Sequence, residues 1–195
     1  MHFPVYSLGP GRRAGLWLQG CSLRCRGCVT PESWEFEPRC AVHLDDVTDR
    51  LHRFWSASPP PSGLTVSGGE PFDQPEALLE LLRRARGFGA GDILIYSGYR
   101  ADILLERHPE LRDLASALVD GPFEAGNVTE SIWKGSENQS LTLLEERLSS
   151  RYEDWTRGKA RKLQLVKSGD RDLLIGVPRQ ADVARLRKPD LSQET

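Results

Sequence analysis

The chain has 195 residues, of which 38% are apolar and 28% charged, a globular composition that excludes a largely disordered protein. Its formal net charge of −2 gives no overall attraction to nucleic acid or to an anionic membrane. No run approaches the roughly twenty apolar residues of a membrane span. Arg12 and Arg13 follow the apolar start of the chain, whereas the basic residues of a signal peptide precede its apolar segment. We therefore expect a cytoplasmic protein with reduced thiols.

Short apolar runs alternate with amphipathic segments along the first 125 residues or so. Strands are expected within residues 14–20, 63–71, 91–99 and 117–123, and helices within residues 43–55, 74–89, 101–108 and 110–117. Strands that alternate with helices imply βαβ units and a parallel sheet, so the predicted class is α/β. The strand count favours an open, partial parallel β/α barrel, because a closed eight-fold barrel needs about 250 residues.

Residues 1–150 are predicted to form this barrel domain, and residues 151–195 a C-terminal extension packed on or near it. Two apolar runs that flank Ser168-Gly169-Asp170 predict a β-hairpin in the extension. Residues 181–188 predict a short final helix, and the polar residues 150–161 predict a mobile connection.

Three of the four cysteines, Cys21, Cys25 and Cys28, lie within eight residues directly after the first predicted strand. Soft thiolates bind zinc or iron–sulfur clusters, and one short loop can bring three sulfurs to a common point. Zinc usually takes four ligands from two separated pairs, whereas three ligands suit a [4Fe–4S] cluster with one iron open to a small molecule. The spacing leaves open a structural zinc site that recruits Cys40, and a set of unliganded or redox-active thiols.

A second motif, Ser67-Gly68-Gly69-Glu70, ends the second predicted strand. The carboxyl ends of parallel strands meet at one edge of a sheet, so this motif should face the cysteine loop. Glycines let the backbone approach a ligand closely, and a carboxylate such as that of Glu70 accepts hydrogen bonds from an amine. The two motifs together therefore predict a ligand site at this edge.

In these two motifs the chain resembles the radical S-adenosylmethionine (SAM) superfamily, and most closely the activating enzymes of glycyl radical proteins, such as that of anaerobic ribonucleotide reductase. Other stretches that carry the resemblance are Gln19-Gly20-Cys21, Pro31-Glu32-Ser33-Trp34, Ser67–Phe72, Ser97-Gly98-Tyr99, Val119–Phe123, Lys134-Gly135-Ser136 and Asn138-Gln139. The resemblance covers roughly residues 3–145. One departure is Val29-Thr30, which stand where that group commonly has His-Asn.

The resemblance implies a radical SAM partial barrel whose [4Fe–4S] cluster is held by Cys21, Cys25 and Cys28, as metal ligands and catalytic residues. It also implies bound SAM, whose contacts are expected from Ser67, Gly68, Gly69, Glu70, Ser97, Asn138 and Gln139. Such an enzyme cleaves SAM reductively to a 5′-deoxyadenosyl radical, which abstracts a hydrogen from the substrate. The implied partners are a large glycyl radical protein, such as anaerobic ribonucleotide reductase, and an electron donor of the flavodoxin or ferredoxin type.

Several expectations from single residues remain alternatives. Asp120, at the mouth of the fourth predicted strand, is a candidate substrate contact or else caps the following turn. Arg12 and Arg13 are predicted to be solvated rather than to meet a substrate carboxylate. The function also has two alternatives, namely a radical SAM enzyme of this scaffold that modifies a peptide or small molecule, and a non-enzymatic zinc-binding interaction module. No nucleic-acid or membrane partner is expected.

Overall fold

The computed structural model describes residues 1–153, 162–169 and 171–187. Its strands are β1 (His2–Val5), β2 (Arg13–Leu18), β3 (Gly63–Gly68), β4 (Ile93–Ser97), β5 (Ala117–Asp120), β6 (Ser140–Leu143), β7 (Gln164–Ser168) and β8 (Arg171–Ile175). Its α-helices are α1 (Leu44–Trp55), α2 (Pro75–Gly87), α3 (Ala101–Arg107), α4 (Leu111–Leu114), α5 (Ser149–Tyr152) and α6 (Gln180–Arg187). Among these residues, no helix is both long enough and apolar enough to cross a membrane.

One six-stranded sheet runs in the order β1-β2-β3-β4-β5-β6. The four central strands are parallel neighbours joined by helices, whereas β1 and β6 pair antiparallel at the two edges. This confirms the predicted α/β class and its βαβ units. The two edge strands were not predicted, and the curvature of an open radical SAM barrel stays a prediction.

Helices α1 and α2 cover one face of the sheet, which we call the outer face. Leu51 of α1 and Leu78 and Leu82 of α2 pack against strand residues that are also buried. The strand residues of this cluster are Ala14, Leu16, Leu64, Val66, Ile93, Ile95 and Leu118. Each of these leucine or isoleucine side chains contributes about 1.5–3 kcal/mol on burial, so the amphipathic pattern that predicted the helices also determines where they pack.

The opposite face, the inner face, carries the alternate strand residues. At its amino-terminal edge, Arg13 of β2 pairs with Asp92 just before β4, at 3.0 Å, and both side chains are fully buried. The Arg13 guanidinium also donates to Thr65 Oγ1 at 2.6 Å, and Tyr152 Oη donates to Asp92 Oδ1 at 2.6 Å. The prediction that Arg13 is solvated was wrong, because Arg13 is the first residue of β2 and its side chain points between the sheet and α5.

The hairpin of β7 and β8 confirms the one predicted around Ser168-Gly169-Asp170, and it packs beside β1. Ser7 Oγ donates to Ile175 O at 2.9 Å, and Gln164 Nε2 donates to Pro4 O at 2.8 Å. Helix α6 lies where the final helix was predicted. The predicted polar connection falls largely on residues 154–161, outside the described residues, and the domain division at residue 150 stays a prediction.

We expect Asp92→Ala to lower the free energy of unfolding by about 3–5 kcal/mol, because the buried Arg13 guanidinium loses its carboxylate. Urea denaturation followed by circular dichroism measures the change. Asp102→Ala is the control, since Asp102 pairs with Arg100 on the surface and its loss should leave the stability nearly unchanged. Equal effects of the two substitutions would contradict the structural role given to the buried pair.

Candidate functional site

The cysteine loop, residues 19–34, follows β2 and is closed by its own backbone. Gly20 N donates to Ser33 O at 2.9 Å, and Cys21 N donates to Trp34 O at 2.9 Å. The Gln19 side chain donates to the carbonyl of Glu32 at 3.0 Å. The Pro31–Trp34 motif therefore forms the returning arm of the loop, beginning with a short 3-10 helix over Pro31–Ser33.

Two residues with positive φ turn the loop between the cysteines. Arg24 has φ +45° and Gly27 has φ +78°, and Cys28 N donates to Cys25 O at 3.1 Å. Cys25 Sγ accepts a hydrogen bond from the backbone of Phe123, in the loop after β5. Burial raises the pKa of Cys25, the Phe123 hydrogen bond opposes this shift, and the neighbouring thiols Cys21 and Cys28 add to it. Cys21 and Cys28 are therefore both close enough to Cys25 to interact with it electrostatically.

The glycine motif after β3 lies in direct backbone contact with the cysteine loop. Gly69 N donates to Leu18 O, and Glu70 N donates to Gly20 O, both at 2.8 Å. Gly68 has φ +105°, a conformation that disfavours other residues. A Cβ atom on Gly69 would overlap the Gly20 carbonyl oxygen. The predicted meeting of the two motifs is thus observed, and it requires glycine at this point.

The Glu70 side chain connects the ends of β3 and β4. Its Oε1 accepts from Phe72 N at 3.0 Å and from Ser97 Oγ at 2.8 Å, and its Oε2 accepts from Gly98 N at 2.7 Å. Glu70 is only 2% exposed, and this burial raises the pKa of its carboxyl against the effect of the three hydrogen bonds. The structure therefore pairs two of the predicted cofactor contacts, Glu70 and Ser97, with each other.

A cavity of about 1300 Å³ brings most of the predicted site together. The predicted residues that line it are Cys21, Cys25, Cys28, Ser67, Gly68, Gly69, Glu70, Ser97 and Gln139. Cys40, on a separate 3-10 helix over Pro38–Cys40, lines it as well. Small-molecule pockets usually measure about 300–1000 Å³, so this cavity has room for more than one occupant.

Asn138 and Gln139 stabilise the loop between β5 and β6. Gln139 Nε2 donates to Gly121 O at 3.0 Å, and its Oε1 accepts from Gly135 N at 2.7 Å. The exposed Asn138 donates to Pro122 O at 2.7 Å and is absent from the residues that line the cavity. Their predicted contacts with a cofactor stay predictions, and the observed role of both amides is to order this loop.

Asp120 lies at the end of β5 but is not among the described residues that line the cavity. Its Oδ2 accepts from Ala101 N, in the first turn of α3, at 3.0 Å, and its Oδ1 accepts from Thr142 Oγ1 at 2.9 Å. Both oxygens thus have internal partners. The contact with substrate stays a prediction, and the observed hydrogen bonds connect β5 to α3 and β6.

A cluster of Ser22, Asp73 and Tyr99 was not predicted. Asp73 Oδ2 accepts from Ser22 N at 2.6 Å, and Asp73 Oδ1 accepts from Ser22 Oγ at 2.9 Å and Tyr99 Oη at 3.0 Å. The three residues lie within or beside the matching motifs, which is the signal that could have identified them. The cluster anchors the cysteine loop to the segments that follow β3 and β4.

The residues present fit an iron–sulfur cluster. Within the described ranges, no three Cys, His, Asp or Glu side chains are arranged to hold a single metal ion. Three thiolates on the wall of one cavity, with no fourth cysteine in the same loop, are the donor set of a [4Fe–4S] cluster that keeps one iron open. The buried indole N–H of Trp34, which also lines the cavity, has no hydrogen-bond partner among the described residues and is available to a ligand there.

Comparison with known proteins agrees with this donor set. Residues 7–142 match the protein family described as "4Fe-4S single cluster domain". The anaerobic ribonucleoside-triphosphate reductase-activating protein of Haemophilus influenzae is 32% identical over 139 residues, covering 68% of this chain and 88% of that protein. The protein of the same name from Escherichia coli K12 is 32% identical over 146 residues, covering 71% of this chain and 93% of that protein. The pyruvate formate-lyase-activating enzyme of Listeria monocytogenes is 38% identical over 84 residues, covering 42% of this chain and 33% of that protein.

Gly69→Ala is expected to destabilise the fold by about 1–3 kcal/mol and to reduce iron uptake, because its methyl group forces the glycine motif away from the cysteine loop. Thermal denaturation and iron content after anaerobic reconstitution measure these effects. Gly87→Ala is the matched control, since no atom lies within 4 Å of the added Cβ, and it should leave both quantities nearly unchanged. Full iron uptake by Gly69→Ala would contradict the account of the backbone contact.

Proposed function

The chain belongs to the 4Fe–4S single cluster domain family and to the group of activating enzymes for glycyl radical proteins. On this premise, we propose that it cleaves SAM reductively and abstracts a hydrogen atom from a glycine of a partner protein. The observation that carries the proposal is the backbone contact between the cysteine loop and the glycine motif, at the carboxyl edge of a parallel sheet. This contact places three thiols and a glycine turn on one cavity.

In this proposal Cys21, Cys25 and Cys28 hold the cluster. When bound, a reduced [4Fe–4S] cluster with an open iron supplies the electron that splits the S–C5′ bond of SAM, giving methionine and a 5′-deoxyadenosyl radical that takes the hydrogen atom. Thr30, one of the two residues that replace the usual His-Asn, places its hydroxyl 3.7 Å from Cys28 Sγ. A polar group beside the cluster ligands is therefore retained.

The glycine turn would bind the amino group of SAM through carbonyl oxygens. The N–H groups of Gly69 and Glu70 already donate to Leu18 and Gly20, and the Glu70 carboxylate already accepts three hydrogen bonds. An ammonium group is a donor, and the backbone carbonyls of the turn are the acceptors that the conformation of Gly68 and Gly69 brings close to the cavity. The role of Glu70 is then to hold the ends of β3 and β4 in place.

Apolar side chains would protect the reaction from water. Leu23, Trp34, Phe123 and Trp133 line the cavity around the cysteine loop and the loop after β5. A carbon-centred radical reacts with whatever it meets, so the walls must exclude solvent and hold the substrate hydrogen nearby. The size of the cavity leaves space for a segment of a second protein beside a bound cofactor. We therefore propose a large glycyl radical protein as substrate and a flavodoxin- or ferredoxin-type protein as electron donor.

Cys25→Ser is expected to lose most of the iron and acid-labile sulfide and all detectable 5′-deoxyadenosine formation, because one of three ligands is gone. Cys40→Ser is the matched control and should retain about four irons per chain and wild-type cleavage. Iron and sulfide analysis, with chromatography of the products from SAM and dithionite, measures both. Loss of the cluster in Cys40→Ser would instead indicate a four-cysteine site.

The experiment that tests the proposed function is electron paramagnetic resonance of the reconstituted protein with SAM, a reductant and the anaerobic ribonucleoside-triphosphate reductase of the same organism. We expect a stable glycyl radical signal on the reductase that requires both SAM and the intact cysteine loop. Formation of 5′-deoxyadenosine without any protein radical would contradict the activase role and would favour a peptide or small-molecule substrate.

A further inference from the structure

One row of side chains crosses the inner face of the sheet at the end nearest the site. Trp17 of β2 lies opposite Ser67 of β3, and Tyr96 of β4 lies opposite Val119 of β5. Trp17, Ser67 and Tyr96 all line the cavity that holds the three cysteines. The row is therefore part of the wall that an occupant of the cavity would contact.

The hydroxyl of Tyr96 is buried and has no hydrogen-bond partner in the part of the chain that the structure describes. Buried hydroxyls are nearly always paired, so an orphan needs an explanation. The hydroxyl of the buried Tyr152, by contrast, donates to Asp92 at 2.6 Å. Burial raises the pKa of Tyr96, so its hydroxyl stays protonated and is able to donate a hydrogen bond to a bound molecule.

Tyr96 lies on the side of the cavity that is formed with the C-terminal hairpin. Together with Trp17 it packs against a buried cluster of Val5, Leu8 and Ile175. Ile175 belongs to β8, which lies beyond residues 7–142, the part that matches the family. The wall around the hydroxyl is thus completed by the C-terminal hairpin.

The charges around the cavity restrict what this hydroxyl can bind. Among the described residues that line it there is no Lys or Arg, while carboxylates are contributed by Glu32, Glu37, Glu70 and Asp172. Met1 and His2 also line it, but burial lowers the pKa of the Met1 amino group and of the His2 imidazole and so disfavours their charged forms. A phosphate or carboxylate substrate would therefore meet mainly acidic groups. A peptide backbone is neutral, and its carbonyl oxygens accept hydrogen bonds from hydroxyls.

We propose that Tyr96 is a substrate-binding residue whose hydroxyl donates a hydrogen bond to a backbone carbonyl of the glycine-bearing segment of the partner protein. This inference rests on the proposed function and adds to it a residue of this chain that would position the glycine-bearing segment. The segment then lies in the cavity, along the wall to which Trp17, Tyr96 and the hairpin all contribute. The hydrogen bond would fix the position of its backbone relative to the cysteine loop on the same cavity.

The test compares Tyr96→Phe with Tyr152→Phe, each of which removes a single oxygen. Tyr96→Phe is expected to reduce glycyl radical formation on the reductase about tenfold or more. Its affinity for SAM, and the rate at which it forms 5′-deoxyadenosine when the reductase is absent, should stay within about twofold of wild type. Its Tm should stay unchanged or rise, because the hydroxyl lost has no hydrogen-bond partner among the residues that the structure describes. Tyr152→Phe should lower Tm through loss of its bond to Asp92 and leave radical formation per folded protein unchanged.

Each other outcome overturns the assignment in a different way. Wild-type radical formation by Tyr96→Phe shows that the hydroxyl does not bind substrate. Weakened SAM affinity assigns the hydroxyl to the cofactor instead, and a lowered Tm assigns it to the fold. Wild-type protein that cleaves SAM but forms no glycyl radical, or that fails to cleave SAM at all, defeats the proposed function itself, and this assignment with it.

Discussion

The close approach of two backbone segments beyond the ends of β2 and β3 determines the position of everything else in the site. Gly69 and Glu70 donate to the carbonyls of Leu18 and Gly20, so the glycine turn and the start of the cysteine loop form one unit. No side chain fits between them, which is why Gly69 is needed there. The same unit extends through the Glu70 carboxylate to the end of β4. Three parallel strands therefore present their carboxyl ends to the cavity as a single surface.

The amino-terminal and carboxyl-terminal ends of the parallel strands carry opposite kinds of interaction. At the amino-terminal edge, the buried side chains of Arg13 and Asp92 form an ion pair with each other. Arg13 also donates a hydrogen bond to Thr65, and Asp92 accepts one from Tyr152. Removing either partner there is costly, so this edge serves stability. The carboxyl edge instead leaves the Tyr96 hydroxyl without a hydrogen-bond partner in the described part of the chain, and the cavity lining there contains no Lys or Arg. Such a wall suits a cationic sulfonium and a neutral peptide better than an anion.

The sequence was informative wherever periodicity or spacing reflects burial or contact. The central strands and α1–α4 follow from their apolar patterns, and the meeting of the cysteine and glycine motifs follows from the geometry of parallel strands. The edge strands β1 and β6 were missed, because four-residue strands such as His2–Val5, with a proline, have no clear alternation. The burial of Arg13 and the internal partners of Asp120 and Asn138 depend on residues distant in sequence, which no local pattern reveals.

The central claim is that three cysteines hold a cluster with one iron left open for SAM. Mössbauer spectroscopy of protein reconstituted anaerobically with ⁵⁷Fe tests this claim most directly, because it distinguishes the four irons by their ligands. The account predicts that one iron in four changes its isomer shift and quadrupole splitting when SAM is added, both in wild-type protein and in Cys40→Ser. Four irons that do not respond to SAM, or protein that takes up no iron, would contradict it.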